Sequence, residues 1–356
     1  MKSLISPRTA ALALGLVATA APVFAADNLD DDDQSGWFVR VGGRISSGVK
    51  AELRDTRAVG APTAGVYDDG FVKPDSGGSA LLTHNWGYQN ASQVQGNELV
   101  FHRLDSAPRV GDRSNLENNP LYGGELVTGF EFVRFDIGRR EARFGFELGY
   151  SYSQLSIKDH ATASGTSAFT TDGYRLDAAS PGNPIIPPTP PYAGSADGNP
   201  GGNNPLIGLT VNSHSLTQEA GTSTLDTKLD SDFHTLRLGP WIEIPLSGRV
   251  NLALSVGYCT IYSSSELTLS DTLSYANPAA QAQAPADVMG KYLRTHWSPG
   301  GYAQLRATYR LTKHLGVYVG GDFQYNTGVT IDAPGRQAKI DFGSTYGAVA
   351  GVSIGF

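Results

Sequence analysis

The connections between the β-patterned segments of this chain alternate in length, and this regularity limits the folds that the chain can adopt. Apolar residues recur at every second position of these segments, as in strands with one apolar face. Three-residue turns occur at every second junction, at 138–140, 247–249 and 312–314. The other junctions are longer and comprise 46–121, 158–231, 270–291 and a shorter one near Pro334. The pattern predicts an all-β, antiparallel, up-and-down barrel of eight strands.

The first of these segments, WFVRVGGRI, shows the alternation directly. Val39 and Val41 would face one side of the strand and Arg40 the other. The segment before the first short turn changes phase between Phe132 and Val133, and such a phase change predicts a β-bulge.

The amino-terminal segment has the layout of a secretory signal peptide. Lys2 and Arg8 precede an apolar run at 10–21, and small residues flank a cleavage position between Ala25 and Ala26. A short buried helix is the alternative interpretation. No other stretch approaches the ~20 apolar residues that a membrane helix requires. The predicted divisions are a cleaved signal peptide at 1–25, an acidic periplasmic tail at 26–36 and a barrel at 37–356.

Composition narrows the class of protein further. The chain has 43 Gly, 16 Tyr and 14 Phe but only two Met, and helical periodicity is scarce. An exported chain of this kind is either a secreted β-sandwich or a membrane barrel, and the alternation of turn length favours the barrel. Cys259 is the one cysteine, so an internal disulfide is excluded and a filler role is expected. The net charge of −7 argues against a nucleic-acid partner.

The carboxyl-terminal segment YGAVAGVSIGF alternates up to an aromatic residue. Together with the signal peptide, the eight strands and the three short turns, it resembles the OmpA-type and Opacity-type small outer-membrane barrels. The resemblance implies that Gly351, Val352, Ile354 and Phe356 form the signal read by the barrel-assembly machinery. It also implies a location in the outer membrane of a Gram-negative-type bacterium. Val349 departs from the family pattern, which often has a polar residue there.

Charged side chains on the face opposite the apolar one are expected to line the barrel lumen, because the lipid face cannot solvate them. The predicted lumen set is Arg40, Arg44, Glu131, Arg134, Asp136, Arg143, Glu147, Arg237, Glu243, Arg306, Arg310, Asp322 and Asp341. An eight-stranded interior is just wide enough for side chains to fill, so these groups should pair across it. Pairing predicts a closed lumen, and a narrow gated conduit for small solutes is the alternative. A wide pore would need ~16–18 strands.

Aromatic residues near the strand ends are typical of the two girdles of a membrane barrel. The residues in question are Trp37, Tyr150, Tyr152, Tyr258, Tyr262, Tyr309 and Tyr346. Core packing in a soluble domain is the competing interpretation, and the girdle is favoured only because a barrel is favoured.

The two long loops, 46–121 and 158–231, carry weaker signals. VYDDGFV and NELVFHRL could extend the strands or add a hairpin that makes the count ten. The first loop could contact an extracellular ligand or pack on the barrel mouth. Asp68 and Asp69 are adjacent, but their spacing does not match a calcium loop, so no metal or other cofactor is predicted. The second loop has polyproline character at 187–191, typical of an exposed tether.

Catalytic groupings are not distinctive in this sequence. His234 follows Ser231 and Asp232, and His296 precedes Ser298, but no recognised motif surrounds either group. We therefore predict a protein that is not an enzyme, with a structural or surface-interaction role and outer-membrane lipid as a partner. A narrow channel is the first alternative, and a lipid-modifying enzyme is the second.

Overall fold

The structure is a computed structural model, and it describes residues 36–56, 63–76, 81–116, 120–138, 140–177, 185–195 and 206–356. The predicted signal peptide, its cleavage position at Ala25 and Ala26, and nearly all of the predicted tail lie outside these residues. No helix in the described ranges is long and apolar enough to cross a membrane. Helical structure in them consists of the 3-10 turn Ala91–Gln93 and helix α1, Pro278–Ala282.

The remaining secondary structure consists of β-strands. In chain order the described strands are β1 (Trp37–Ser47), β2 (Lys50–Asp55), β3 (Val66–Tyr67), β4 (Gly70–Val72), β5 (Leu82–Thr83), β6 (Trp86–Tyr88), β7 (Val94–Gln95), β8 (Glu98–Ser106), β9 (Arg113–Leu116), β10 (Leu121–Ile137), β11 (Arg140–Asp177), β12 (Tyr192–Ala193), β13 (Leu206–Gly208), β14 (Ser213–Pro245), β15 (Val250–Tyr275), β16 (Val288–Arg310), β17 (Leu315–Asn326), β18 (Val329–Ala333), β19 (Arg336–Asp341) and β20 (Ser344–Gly355).

The long strands pair antiparallel in a path whose two ends also pair with each other. Backbone hydrogen bonds join them in the order β10, β1, β20, β17, β16, β15, β14 and β11, and β11 pairs again with β10. Four short strands, β5, β7, β8 and β13, continue the same sheet from β11. The predicted all-β antiparallel sheet is confirmed. Around the ring, every one of these long strands is paired on both sides in the part where all eight overlap, so none of them has an unpaired edge there.

The three predicted short turns lie at one end of the ring, which we call the turn end. Gly138 has a φ of 66° in the first of them, a conformation that favours glycine. The other two are closed by hydrogen bonds from Leu246 N to Val250 O and from Leu311 N to Leu315 O, both of 2.8 Å. The register of β10 against β11 shifts between Glu131 and Val133, at the predicted bulge.

At the opposite end, which we call the loop end, the predicted loop bounds are wrong. β11 continues as a paired strand through 158–177 and β14 begins at Ser213, so the connection between them is 178–212 instead of 158–231. The segment 46–121 contains β2 to β9. The terminal strand begins at Ser344, ten residues after the junction predicted near Pro334, because 336–341 form a separate strand, β19.

Half of the ring projects far beyond the other half. The adjacent strands β11, β14, β15 and β16 have 38, 33, 26 and 23 residues, whereas β1, β10, β17 and β20 have 11, 17, 12 and 12. We call the four long strands the wall. Their extended parts continue as one paired sheet beyond the shorter strands.

A small second sheet, which we call the plug, covers the inward face of the wall. It has the order β18, β19, β2 and β9, and its apolar side chains meet those of the wall. Leu155, Leu229 and Ile261 from the wall form one buried cluster with Ala338 and Ile340 from the small sheet. Sheet-on-sheet packing of this kind makes a dry sandwich core, which fills the loop-end mouth of the ring.

A further apolar cluster lies beyond this plug. Trp86 and Tyr88 of β6 pack with Phe101 of β8 and Tyr174 of β11, all of them buried. The ring of Tyr192 packs at a tilt against Trp86, with ring centroids 4.7 Å apart, and β12 pairs with β6. The segment expected to be a plain tether is therefore partly held in a strand pair. The loops therefore contain folded structure of their own.

The outer surface of the ring is apolar at the turn-end half. Exposed residues on alternating positions include Val41, Leu148, Leu238, Leu305 and Val319. Aromatic contacts border this surface on both sides. The ring centroids of Trp37 and Phe130 lie 5.1 Å apart near the turn end, and those of Tyr262 and Trp297 lie 5.0 Å apart nearer the loop end. This surface is what the predicted girdles would require.

The contribution of the buried apolar side chains of the plug to its local stability can be tested. Ile340 is fully buried, and Ile→Ala substitutions in cores cost about 2–5 kcal/mol. We expect Ile340→Ala to increase local opening of the small sheet, and with it the rate of limited trypsin cleavage at Arg336 or Lys339, by at least tenfold. Leu293→Ala, at a side chain that is 74% exposed, is the matched control and should leave the rate unchanged. Equal rates in both variants and the parent would contradict the packed plug.

Candidate functional site

The interior of the ring holds a compact group of buried charges. Alternation along each strand directs these side chains inward, because their sequence neighbours face the apolar exterior. Four arginines and four carboxylates of the described ring strands are buried there, so their formal charges cancel. We call this group the lumen network: Arg40, Arg44, Arg237, Arg306, Glu125, Glu147, Glu243 and Asp322.

Glu147 organises the half of the network nearer the turn end. Its Oε2 accepts from Arg306 Nη2 at 3.0 Å and lies 3.4 Å from Arg40 Nη1. Arg40 Nη2 reaches Glu243 Oε2 at 3.7 Å, and Glu243 Oε1 accepts from Asn251 Nδ2 at 2.8 Å. These groups come from β1, β11, β14, β15 and β16, so the contacts cross the lumen and join different sides of the ring.

Glu125 organises the second half. Its Oε2 accepts from Arg237 Nη2 at 2.8 Å and lies 3.7 Å from Arg44 Nη1. Its Oε1 accepts from the hydroxyl of Tyr318 at 3.0 Å. Arg44 also forms a close ion pair with Asp322. Charge-assisted bonds of this kind fix both partners, and the planar guanidinium suits paired carboxylates.

Seven of the predicted lumen residues belong to this network. A separate, partly buried group lies at the turn-end rim, where Glu131 pairs with Arg134 and lies 3.9 Å from Arg143 Nε. The predicted residues are therefore brought together at two levels instead of one.

Three predicted lumen residues are not in either group. Asp136 is exposed at the end of β10, where the ring offers no interior. Arg310 donates through Nη2 to Gly248 O at 3.0 Å and so contacts a short turn. Asp341 lies on β19 of the small sheet, where its carboxylate is 4.0 Å from Lys339 Nζ, and so it is outside the ring.

Sequence reasoning missed Glu125. It lies on the same strand face as Glu131, six residues earlier and before the bulge, so two-residue counting would have found it. Tyr318 was counted on neither face, although its hydroxyl contacts Glu125.

The predicted assembly residues lie in β20, beside β1. Gly351 faces Gly42 so closely that a Cβ on Gly351 would lie 2.1 Å from Val41 O, which excludes any larger residue without a shift of the backbone. Val352 and Ile354 point to the exterior surface. Phe356 N donates to Trp37 O at 3.0 Å and continues the pairing to the last residue.

A polar cluster lies at the loop end, outside the lumen. Asp172 accepts from the Tyr67 hydroxyl at 2.6 Å, and its other oxygen is hydrogen-bonded to His214 Nδ1 at 2.6 Å. The Tyr67 hydroxyl also lies 2.7 Å from that of Tyr174. Burial, followed by the bond to Asp172, raises the pKa of Tyr67 above its ordinary range, so this hydroxyl stays protonated.

In the first histidine grouping considered from the sequence, the serine and the histidine lie on opposite faces of β14. Ser231 faces inward and donates to Ser265 at 2.9 Å, whereas His234 faces outward and bonds to Tyr150 at 2.8 Å. Asp232 accepts from Tyr152. Ser298 is fully buried. Among the described residues no group of three or more His, Cys, Asp or Glu side chains could hold a metal ion.

Comparisons with known proteins give no close relative. No family model and no curated protein matches the chain. A solved structure of the Escherichia coli outer membrane protease OmpT is similar at 13% identity and a TM-score of 0.32, over 93% of this chain and 100% of that one. The structure of the Pseudomonas putida toluene transporter TodX is similar at 9% identity and a TM-score of 0.16, over 94% of this chain and 91% of that one. The structure of a Pseudomonas aeruginosa FadL homologue is similar at 11% identity and a TM-score of 0.15, over 90% of each chain.

Scores of this size carry no argument about family or activity. The resemblance to the OmpA-type and Opacity-type barrels receives no support from the comparisons.

The lumen network predicts strong coupling between its members. Glu125→Gln keeps the shape of the side chain but leaves Arg237 and Arg44 with one negative charge too few. Because a buried charge is then uncompensated, we expect a loss of about 3–5 kcal/mol in the free energy of unfolding, measured by urea titration of the refolded protein in micelles. Arg310→Gln, outside the network, should cost less than about 1 kcal/mol.

A second variant separates charge from packing. Glu125→Leu with Arg237→Leu removes both charges, so the double variant should be less destabilised than the sum of its single variants. Strict additivity would show that the two side chains do not interact.

Proposed function

We propose that this protein is an eight-stranded transmembrane barrel of the outer membrane of a Gram-negative-type bacterium, exported with a cleaved signal peptide and closed to solutes. The closed ring of long antiparallel strands and the apolar exterior between two aromatic borders support this proposal. From Leu315 to Tyr325 the strand rises about 25 Å at the tilt usual in barrels, the height of the apolar band of such proteins.

The observation that carries the closed lumen is that two barriers lie in series. The lumen network spans the ring with neutral total charge, and the sandwich core of the plug fills the loop-end mouth. A solute would have to displace both an ion-paired layer and a dry apolar layer. Glu131 at the turn-end rim and Glu243 in the lumen network are both ion-paired as well.

A narrow channel for small solutes is the alternative function. Arg237 Nε and Nη1 are buried and have no hydrogen-bond acceptor within the described part of the chain, which is the observation in its favour. One arginine could exchange carboxylate partners if the plug moved aside.

The role of the closed barrel would be structural or surface interaction. The wall, the plug and the cluster around Trp86 place a folded β-structure beyond the apolar band, where it could contact extracellular ligands. Outer-membrane lipid and, through Gly351, Val352, Ile354 and Phe356, the barrel-assembly machinery are the proposed partners. No nucleic acid, cofactor or catalytic step enters this proposal.

Conductance in planar bilayers tests the closed lumen. We expect the refolded mature chain to give no discrete current steps. Glu125→Ala with Arg237→Ala should also remain silent, because the plug still closes the mouth. Replacing 329–341 by a short Gly-Ser linker in that double variant should produce steps. Discrete current steps from the parent protein would contradict the closed barrel and favour the narrow channel.

The enzyme alternative has a separate test. We expect no product when the refolded protein is incubated with radiolabelled lipid A and the lipids are separated by chromatography. A product that forms with the parent and disappears with His234→Ala or His296→Ala would overturn the non-catalytic proposal.

A further inference from the structure

Residues 327–343, which we call the plug hairpin, continue the hairpin that β17 and β20 form in the ring. Tyr325 pairs with Ser344, and Val329 pairs with Ile340. Both strands advance by four residues between these two pairs, so the register is unbroken from the ring into the plug. The plug hairpin is therefore the loop-end tip of a ring hairpin, and it is folded over against the inward face of the wall.

Each strand of this hairpin bends at a glycine. Gly343 has a φ of 26°, a conformation that favours glycine. On the other strand, a Cβ on Gly328 would lie 2.7 Å from Ile340 O, so this backbone approach also requires glycine. Asn326 N donates to Gly343 O at 3.2 Å at the base of the hairpin. Bends at the same level of two paired strands form a hinge, since hinges concentrate the change of φ and ψ at a few residues.

The apolar side chains of the plug hairpin are in phase with the apolar exterior of the ring. Phe323 and Tyr325 of β17 are exposed on the outer surface, and Val329 and Ile331 follow at the same two-residue spacing. Val329 and Ile331 are buried because they pack in the core between plug and wall. Straightening of the hairpin would move this face from the core to the outer surface, where it would continue the apolar face of β17.

The strand β16 has an unpaired edge beside the position of a straightened hairpin. On the side away from β15, β16 pairs with β17 from Gly300 onward, and the described ranges contain no partner strand for that edge of 288–299. Pro299 O accepts from Thr327 N at 3.2 Å, so this ladder already extends one bond beyond β17. The backbone groups of every second residue from 289 to 297 face the same side as Pro299 O. An open edge of this kind is a template for a further strand.

The register of β16 with β17 defines how the plug hairpin would pair with this edge. Equal steps beyond the last pair of these strands place Asp332 opposite Arg294 and Ala333 opposite Leu293. Opposite charges directly across neighbouring strands stabilise their pairing. Leu293, whose side chain is 74% exposed, would gain an apolar neighbour.

The charges around Arg294 favour Asp332 as its partner. Arg294 is exposed and forms no ion pair within the described part of the chain. Glu266 lies on the other face of β15, where Lys291 binds it at 2.6 Å. The residues of β15 that share the face of Arg294 are Ser263, Ser265 and Leu267. Asp332 is exposed and accepts from Gln337 within the hairpin, a contact that moves with the hairpin.

We propose that the plug hairpin is a hinged lid over the loop-end mouth of the ring. In the resting form the hairpin is folded against the wall. It opens by straightening at Gly328 and Gly343, and 327–333 then pair with 293–299 of β16. The inference goes beyond the proposed function, in which the plug is a fixed barrier, and it leaves the lumen network in place as the second barrier.

The folded form is the major one. Its apolar core is dry, and Arg336 of the hairpin is ion-paired with Asp271 of the wall at 3.2 Å, with both side chains buried. Opening exposes this pair to water, so neither charge remains buried without a partner. It also exchanges one backbone ladder for another, because β19 leaves β2 while β18 joins β16. The open form is therefore a minor state that differs mainly in the surroundings of the apolar face.

Disulfide trapping tests the open pairing. Arg294→Cys with Asp332→Cys places two thiols at a non-hydrogen-bonded pair of the proposed ladder, where side chains are close enough for a disulfide. The full refolded protein, in a Cys259→Ala background, is oxidised in detergent micelles, and the disulfide is detected by mass spectrometry of its peptides. We expect it to form, and Ile340→Ala in the same background should raise its rate at least tenfold, because the lost packing favours the folded form.

The matched control is Arg294→Cys with Thr330→Cys, two residues out of the proposed register. With Ile340→Ala present, it should form its disulfide at least tenfold more slowly than the pair in register. Equal rates in the two pairs would contradict the register. A 294–332 disulfide that does not form even with Ile340→Ala would overturn the lid. A rate that Ile340→Ala leaves unchanged would show that the thiols meet without release of the hairpin, and this would overturn the hinge.

Conductance in planar bilayers gives a second measurement. With Glu125→Ala and Arg237→Ala present, the oxidised 294–332 variant should give current steps, and reduction of the disulfide should abolish them. Silence of the oxidised form with the disulfide in place would contradict opening of the mouth. The trapping in micelles does not depend on the location of the protein. Failure of the parent to insert into bilayers would therefore contradict the proposed function and not the lid.

Discussion

Closure of the backbone hydrogen-bond ring is the constraint on which this structure depends. Each ring strand has two antiparallel partners, so strand pairing alone supplies the hydrogen bonds of the backbone N–H and C=O groups around the ring, without water. Closure fixes which side chains face inward, because alternation then has only two directions, toward the lumen and away from it. The apolar exterior, the aromatic borders and the buried charges are consequences of one geometric condition.

The inward charges must then satisfy one another. The interior of the ring is filled by these buried side chains, so charge placed there must be neutralised locally. Glu147 and Glu125 each bind two arginines from different strands, and this sharing ties the opposite sides of the ring together. The same contacts that cross the lumen therefore hold the cross-section of the ring in shape.

The predictable part of the molecule was the part with a local signal. Turn positions, strand faces and the bulge follow from two-residue periodicity, which needs no knowledge of distant contacts. The extension of β11 through 158–177 was missed because its Ser, Thr and Gly residues give little apolar alternation, and its strand state depends on pairing with β14. Asp341 was misplaced for a similar reason, since only the pairing of β19 with β2 separates it from the ring.

The seam between β1 and β20 has a consequence for how the molecule forms. Its pairs, from Phe38 with Gly355 to Ser47 with Tyr346, join residues almost the whole chain apart. Contacts of such sequence separation are entropically costly to bring together and slow to form, whereas hairpins such as β14 with β15 zip locally. The close Gly42–Gly351 approach makes this the point where a single added methyl group stops the two edges from meeting. Folding should therefore be limited by one late event, the joining of the first and last strands.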